Sequence, residues 1–562
     1  MTAVAAGAAA AWLPRRLQPD FWSAILLAAL GLVGLLLVWP IAQVLQLGFI
    51  DPLTQGFTLA NYTKVLTHRY YVGALVNTLI VGLGGMVGAC LLGIPLAYFT
   101  ARYAVTGRNV IATLAVLALV SPPFIGAYSW VVVAGNNGWL TQFMKSFGVA
   151  LPTIYGMHGI ILVFSLKFFP FVYLMTESAL RNINRSFEEA AENLGCSPSQ
   201  RFFKITLPLV FPAISSGAIL CFVLSIADFG TPSIIGRDFR TLSTIAYNQY
   251  TSEMGGQPTM AVSISMLMIV VSMLAVFLQR HLIGKRRYAG ALTNLGVPAR
   301  LRGAYGVLVH TLCYAIVALA TLPIAVVIYT SFLQTNGPVF SGGFGFNSYS
   351  RVIQEVPDVI ANTMRFALIA TVLITLAGGL ISYVVVRRET PLAGLLDAVL
   401  MVPYVVPGVV MAIGFLLTFN SGAFDLVGTG SIIVLIVFIR RLPYGVRATS
   451  SVLRQIKPSI EEAAISLGAS PVKAFWKVTV PLMVPGIIAG AMMSFITAIN
   501  ELSSTLLLYN ARTATMPVRI YSAVLDGEFG IAAALSTILL VSSGLCVFVV
   551  LRFSQSKQSA FI

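Results

Sequence analysis

Long apolar stretches separated by short polar connections run along the whole chain. Since a helix rises about 1.5 Å per residue, a hydrocarbon core about 30 Å thick takes roughly 20 apolar residues per crossing. Twelve stretches meet this requirement with few internal charges, and they predict an all-α integral membrane protein. The predicted crossings are 22–47, 72–99, 109–134, 157–180, 207–230, 258–279, 304–331, 359–386, 392–417, 430–450, 480–508 and 529–551.

Composition supports a membrane protein and changes how the charge is interpreted. Of the 562 residues, 57% are hydrophobic and 10% are charged, whereas about a quarter of a typical soluble chain is charged. This excludes a cytosolic enzyme, a disordered protein and a disulfide scaffold. The net charge of +16 does not require a nucleic-acid partner. When the twelve crossings are placed in order across a membrane, about two-thirds of the 35 lysines and arginines lie on the same side of it. The positive-inside rule then places both termini in the cytoplasm.

The chain contains an internal repeat. The sequence of residues 181–214 is repeated, with substitutions and without a gap, at residues 454–487. The offset is 273 positions, so that Pro208 aligns with Pro481. We therefore predict two homologous halves of six crossings each. The predicted divisions are a cytoplasmic N-terminal tail (1–21), a first half (22–279), a basic cytoplasmic linker (280–303), a second half (304–552) and a cytoplasmic C-terminal tail (553–562).

Two cytoplasmic segments carry the strongest repeat, and we call them the first repeated loop (181–208) and the second repeated loop (454–481). In the first, Ser186 and Glu189 have the spacing of a capping box at a helix start. Gly195 predicts a left-handed corner at the helix end, and Ser197-Pro198 predicts the start of the next helix. The second loop repeats these residues as Ser459, Glu462, Gly468 and Ser470-Pro471.

The pattern EAA-x3-G-x9-[IV]-x-[LV]-P, present at 189–208 and at 462–481, resembles the coupling loop of permease subunits of type I ABC importers. The chain as a whole resembles a fused permease in which one polypeptide replaces a heterodimer of the bacterial inner membrane. The resemblance implies a short helix that docks on an ATPase subunit. The implied coupling residues are Glu189, Ala190, Ala191, Gly195, Glu462, Ala463, Ala464 and Gly468.

The resemblance also implies partners: two copies of a nucleotide-binding ATPase subunit, which bind ATP and Mg, and a periplasmic substrate-binding protein. This chain has no GxxxxGK[ST] phosphate-binding motif, since Gly284-Lys285 is followed by Arg286 within a basic run. We therefore expect a transport subunit rather than an enzyme, with no cofactor or metal site of its own. A secondary transporter with 12 crossings and a membrane-embedded enzyme are the rival classes.

Five of the ionisable residues within the predicted crossings are candidates for the translocation path, because charges there are costly and often functional. They are Lys167, Asp228, Arg440, Arg441 and Glu501, and the offset of 273 aligns Lys167 with Arg440 and Asp228 with Glu501. In one interpretation they are structural ion pairs, Lys167 with Asp228 and Arg440 or Arg441 with Glu501. In the other, some of them line the translocation path and select a charged substrate.

Prolines predict interruptions in two corresponding crossings, at Pro122-Pro123 and at Pro403 with Pro407. Broken helices often border a translocation path, although a plain kink fits the same pattern.

Three further segments resemble ferric iron permeases, namely SIADFGTPSIIG (225–236), IRRLPYGVR (439–447) and NELSSTLLL (500–508). The expected function is therefore alternating-access import of ferric iron delivered by the binding protein. Similar chains serve thiamine, polyamines and 2-aminoethylphosphonate, and these substrates remain alternatives.

Overall fold

In the computed structural model the described residues are 20–51, 54–184, 186–252, 256–284, 299–420 and 425–558, and they are mostly helical. The helices of the first half are α1 (Phe21–Gly48), α2 (Ala60–Thr67), α3 (Arg69–Arg102), α4 (Arg108–Val120), α5 (Pro123–Ala134), α6 (Trp139–Ser146), α7 (Met157–Asn182), α8 (Ser186–Asn193), α9 (Pro198–Ala227), α10 (Gly230–Ile235), α11 (Leu242–Thr251) and α12 (Pro258–Gly284). The predicted N-terminal tail, except its last two residues, and most of the predicted linker lie outside the described residues.

The second half follows a similar order of helices, with a short hairpin after its first helix. Its elements are α13 (Gly303–Ser331), the antiparallel strands β1 (Leu333–Asn336) and β2 (Val339–Phe344), α14 (Asn347–Glu355), α15 (Pro357–Arg387), α16 (Pro391–Val399), α17 (Val402–Val405), α18 (Gly408–Thr418), α19 (Gly430–Leu453), α20 (Pro458–Ser466), α21 (Pro471–Ile499), α22 (Thr505–Leu508), α23 (Met516–Leu525) and α24 (Phe529–Gln558).

Eleven of the twelve predicted crossings meet a length and hydropathy criterion for spanning a membrane, counted over the described residues. Nine are single helices: α1, α3, α7, α9, α12, α13, α15, α21 and α24. Two are bent pairs. The remaining predicted crossing, 430–450, is the 24-residue helix α19, whose arginines at 440, 441 and 447 take it outside the apolar criterion.

The bent pairs show that the predicted crossings at 109–134 and 392–417 are not continuous helices. The chain turns by 99° between α4 and the helical segment from Pro123 to Ser146, and by 111° between the segment Pro391–Val405 and α18. Pro122 and Pro407 have extended ψ angles of 146° and 149° immediately before α5 and α18. Since proline also lacks a backbone N–H, the predicted interruptions are complete breaks.

Packing groups the helices differently from the sequence repeat. One compact unit comprises α1, the helices between Val356 and Arg519 and the part of α24 from Val541 onward. The other comprises the elements between Gly48 and Glu355, among them α13, together with residues 520–540. In the first unit, Trp22 of α1 packs on Tyr383 at a ring-centroid distance of 4.1 Å. In the second, Ser129 Oγ of α5 donates to the Pro323 carbonyl of α13 at 3.0 Å. The first helix of each half thus packs among helices of the other half.

Close packing of α3 on α7 depends on glycine. A Cβ at Gly88 would lie 1.9 Å from Ser165 Oγ, and a Cβ at Gly93 would lie 2.9 Å from the Phe169 carbonyl oxygen. Small residues at these positions let the two backbones approach, which is a common means of helix association in membranes.

Candidate functional site: repeated loops and intramembrane charges

The first repeated loop contains the predicted glycine corner. Gly195 has a φ of +81°, and two backbone bonds close the end of α8: Gly195 N–H to Glu192 O at 2.9 Å and Cys196 N–H to Ala191 O at 2.9 Å. This pair of bonds is a Schellman motif. Ser197 then caps α9 in a capping box with Gln200, and this confirms the predicted start of that helix.

The second repeated loop has the same corner and start. Gly468 has a φ of +92°, its N–H donates to Ile465 O at 2.9 Å, and the Ala469 N–H donates to Ala464 O at 3.1 Å. The Ser470 side chain accepts from the Lys473 N–H and caps α21. Two loops 273 residues apart therefore share one backbone structure.

The predicted capping boxes Ser186–Glu189 and Ser459–Glu462 are wrong. In the second loop α20 already begins at Pro458, so Ser459 lies inside the helix, and the capping residue is Lys457 without a side-chain cap. Proline is favoured at the first helical position, and this preference sets the start. In the first loop Ser186 is itself helical, and its N–H donates to Asn184 Oδ1 at 3.0 Å.

The implied coupling residues have a similar pattern of exposure in the two loops. Exposed are Glu189, Ala190, Gly195, Glu462, Ala463 and Gly468, while Ala191 is buried and Ala464 is partly buried. Beside each glycine the structure adds a residue that the sequence analysis did not select.

These added residues are Leu194, which is 86% exposed, and Leu467, which is 90% exposed. The repeat aligns them, and that signal could have found them. They are the two most exposed of the large apolar side chains whose exposure the structure describes.

In the first half the predicted ion pair of Lys167 with Asp228 is not formed among the described residues. Lys167 Nζ instead donates to the carbonyls of Ala118, Leu119 and Ser121, at 2.9 Å for the first of these. These carbonyls belong to the open end of α4 at the helix break, where α-helical bonding stops. The lysine therefore stabilises the break.

Asp228 has a local role in the same half. Its Oδ1 accepts from the Thr231 N–H at 2.8 Å, at the start of α10, and its backbone carbonyl accepts from Ser243 Oγ at 2.9 Å. The aspartate carboxylate is therefore used close to its own backbone.

In the second half the predicted ion pair is present and has two cations. Arg440 Nη1 contacts Glu501 Oε1 at 2.5 Å, and Arg441 Nη2 contacts Glu501 Oε2. Ser504 contributes its backbone N–H and its hydroxyl to Glu501 Oε1, at 3.1 and 2.8 Å. The glutamate side chain is 2% exposed, so a buried carboxylate is fully hydrogen-bonded and faces two guanidinium groups.

The pair Asn-Thr occurs in α3 as Asn77-Thr78 and, 285 positions later, in α15 as Asn362-Thr363, and it holds the chain where α11 and α23 begin. Thr78 Oγ1 accepts from the Leu242 N–H at 2.9 Å, and Thr363 Oγ1 accepts from the Met516 N–H at 2.7 Å. The asparagines are also equivalent, since Asn77 Nδ2 donates to the Arg240 carbonyl at 3.0 Å and Asn362 Nδ2 donates to the Arg512 carbonyl at 2.9 Å.

Within the described part of the chain, no group of three or more His, Cys, Asp or Glu side chains is arranged to hold a metal ion.

Comparison with known proteins agrees with the repeat. The family model described as "Binding-protein-dependent transport system inner membrane component" matches residues 93–288 and again residues 374–558. The ferric transport system permease protein of Actinobacillus pleuropneumoniae is 30% identical over 537 residues, which cover 92% of this chain and 76% of that protein. A putative ferric transport system permease protein of Haemophilus influenzae is 29% identical, covering 89% of this chain and 80% of that protein. A putative 2-aminoethylphosphonate transport system permease protein of Salmonella typhimurium is 28% identical, covering 46% of this chain and 90% of that protein.

Proposed function

The chain belongs to the family of binding-protein-dependent transport system inner membrane components, the permeases of ABC importers, and from this premise we propose that its substrate is ferric iron and that its two repeated loops couple import to ATP hydrolysis. Membership makes the chain a multi-pass membrane protein that works with an ATPase and a periplasmic binding protein. Iron is proposed because relatives matching most of the chain are named for ferric transport.

The coupling role is supported by one structural observation, the equivalence of the two loops. Each has a glycine corner with a positive φ, an exposed Glu-Ala pair and a leucine at least 86% exposed. An apolar side chain next to a rigid corner can enter a cleft of a partner at little entropic cost, since the backbone is already ordered. We place one ATPase subunit on each loop, with ATP and Mg bound by the ATPases.

The mechanism that we propose for this arrangement is alternating access. The liganded binding protein docks outside, ATP closes the two ATPase subunits, and the loops move with them. The helices attached to the loops then change the access of a central path from the cytoplasmic to the outer side, and hydrolysis reverses the change. Both termini lie in the cytoplasm in this scheme, on the side of the loops.

The test is reconstitution of the permease with its ATPase in liposomes, together with the binding protein loaded with radioactive ferric iron. We expect uptake that requires ATP and Mg. Uptake should be lost in Gly195→Pro and Gly468→Pro, because proline cannot adopt the positive φ of either corner. Uptake without the ATPase, driven by an ion gradient, would instead identify a secondary transporter. Full uptake by both glycine variants would contradict the coupling role.

A phosphonate is the second candidate substrate. Two guanidinium groups face one carboxylate at Glu501, which leaves a net positive cluster, and guanidinium binds phosphonate oxygens well. The two substrates are distinguished by loading the binding protein with ferric iron or with 2-aminoethylphosphonate and measuring ATP hydrolysis by the complex. Stimulation by the phosphonate form alone would replace iron in the proposal.

A further inference from the structure

The glutamate that precedes the Glu-Ala pair is turned inward in both loops. In the first loop Glu188 Oε1 accepts from Arg102 Nη2 at 2.8 Å and from Thr206 Oγ1 at 2.8 Å. Arg102 is the last residue of α3 and is 6% exposed, and Thr206 lies in the segment where α9 turns toward the membrane. One carboxylate oxygen thus joins α8 to two membrane helices.

The equivalent glutamate of the second loop makes the same connection with a different donor. Glu461 accepts from the Tyr383 hydroxyl of α15 and, through Oε2, from Thr479 Oγ1 at 3.1 Å. Glu461 is 9% exposed and Thr479 is 2% exposed. The offset of 273 that relates the loops takes Glu188 to Glu461 and Thr206 to Thr479.

The surroundings of the two glutamates are also equivalent. Tyr98 of α3 packs its ring on Phe202 at a centroid distance of 5.0 Å, and Tyr383 packs on Phe475 at 4.8 Å. Each half therefore has a tyrosine beside the attachment, and the glutamate takes its long-range hydrogen bond from arginine in one half and from tyrosine in the other.

Burial and hydrogen bonding make these contacts costly to break. A buried carboxylate that loses its donors retains the cost of its desolvation, whereas an exposed one is rehydrated. The neighbouring Glu189 and Glu462 are exposed and are available to a partner. Adjacent residues point about 100° apart around a helix, so the two glutamates of each pair face different sides of the loop helix.

We propose that Glu188 and Glu461 are positioning residues that transmit displacement of the loop helices to α3 and α15, whereas Glu189 and Glu462 belong to the surface offered to the ATPase. This inference rests on the proposed coupling function, since it concerns how a loop moved by an ATPase moves the membrane helices. A displaced α8 pulls on the last turn of α3 through Arg102, and α20 pulls on α15 through Tyr383.

The experiment uses the whole complex in liposomes and measures stimulation of ATP hydrolysis by the binding protein carrying its native ligand, so that it does not depend on the identity of the substrate. Assembly is measured separately, by the amount of ATPase that co-purifies and by protection of Cys196 from maleimide in the first loop. Ala469→Cys gives the matched reporter in the second loop, because position 469 is equivalent to 196.

We expect Glu188→Ala and Glu461→Ala to assemble normally and to lose stimulation by about tenfold or more, within the range of measured coupling energies. Glu192→Gln is the control, because that side chain is 62% exposed and its ion pair with Arg201 links α8 to α9 without reaching α3. Full stimulation in both alanine variants would overturn the inference. So would a loss that parallels a loss of assembly, since this would indicate a structural role alone.

Conservative changes separate the two halves. Glu188→Gln leaves the buried guanidinium of Arg102 without a carboxylate, while Glu461→Gln still offers hydrogen bonds to two neutral hydroxyl groups. We expect a large loss of stimulation in the first variant and a small loss in the second. Adding Arg102→Gln to Glu188→Gln should restore stimulation, because a neutral pair replaces the uncompensated charge. Failure of this rescue would contradict the inference even where Gly195→Pro confirms coupling by the loop.

Discussion

The two halves of the chain share a sequence repeat and an order of helices, yet they satisfy their intramembrane charges differently. Lys167 donates to the open carbonyls of a broken helix, whereas the aligned Arg440 contacts Glu501 together with Arg441. An ammonium group suits several carbonyls converging on one point, and a planar guanidinium suits a carboxylate. The repeat therefore preserves the position of a cation and leaves its partner free to change.

The two acidic residues, Asp228 and Glu501, also make different contacts, because their side chains differ in length. Asp228 has the shorter side chain and accepts from a backbone N–H three residues ahead, while Glu501 bonds to Ser504 and also reaches the arginines of α19. One methylene group distinguishes a local contact from a contact between helices. The predictions below use these differences in order of decreasing effect.

The largest effect is expected at Glu501. Replacing it by alanine leaves two buried guanidinium groups without a carboxylate, which should cost about 3–5 kcal/mol of unfolding free energy. The matched change Asp228→Ala removes a capping contact and should cost about 1 kcal/mol. Thermal unfolding of the purified permease in detergent measures both.

The control for this prediction removes the whole cluster. Replacing Arg440, Arg441 and Glu501 together by methionine should recover most of the stability, because a buried ion cluster is replaced by packed apolar groups. Equal destabilisation by Asp228→Ala and Glu501→Ala would contradict the difference between the halves.

A smaller difference is expected where helices pack through glycine. A Cβ at Gly93 would lie 2.9 Å from the Phe169 carbonyl oxygen and 3.0 Å from Tyr173 N, so both close contacts involve backbone. Gly93→Ala should therefore cost up to about 3 kcal/mol. Gly378 is equivalent to Gly93 at the offset of 285 that relates Asn77-Thr78 to Asn362-Thr363. A Cβ at Gly378 would have its nearest neighbour, Gly445 C, at 3.5 Å, and Gly378→Ala should be neutral or slightly stabilising. Thermal unfolding measures the stability of the two variants. A lower stability for Gly378→Ala than for Gly93→Ala would contradict the expected difference.

Lys167→Met tests the stabilised break in the first half. The change leaves three carbonyls at the end of α4 without their donor and should cost about 2 kcal/mol. Arg440→Met should cost less, because Arg441 still balances Glu501. Unfolding by denaturant gives the order, and a greater cost for Arg440→Met would indicate that the second half depends on both cations.

The sequence predicted the features that depend on neighbours within a few residues. The corners at Gly195 and Gly468 and the Ser-Pro helix starts follow from local backbone preferences. The capping boxes failed because two local rules competed, and proline at position 458 decided the start of α20.

Features that depend on distant packing could not be predicted in this way. The carbonyl partners of Lys167 are 46 to 49 residues away, and they are open only because α4 ends at Val120, so no spacing in the sequence indicates them. The exchange of α1 and α13 between the halves depends on packing surfaces and leaves no short motif. The inward glutamates could have been found, because the repeat aligns Glu188 with Glu461 as clearly as it aligns the exposed pair.

The smallest expected effect concerns the tyrosines beside the loops. Tyr383→Phe removes one donor from Glu461 and leaves Thr479 in place, so the loss should be about 1 kcal/mol in stability, with a partial loss of stimulation by the liganded binding protein. Tyr98→Phe is the matched control. It should change the unfolding free energy by less than about 0.5 kcal/mol and leave stimulation nearly unchanged, because its ring packing remains and Glu188 bonds to Arg102 and Thr206. If Tyr98→Phe proved the more damaging, the glutamate of the first loop would also depend on its tyrosine during transport. The arginine and tyrosine donors would then be alternatives available to each half rather than a fixed difference between them.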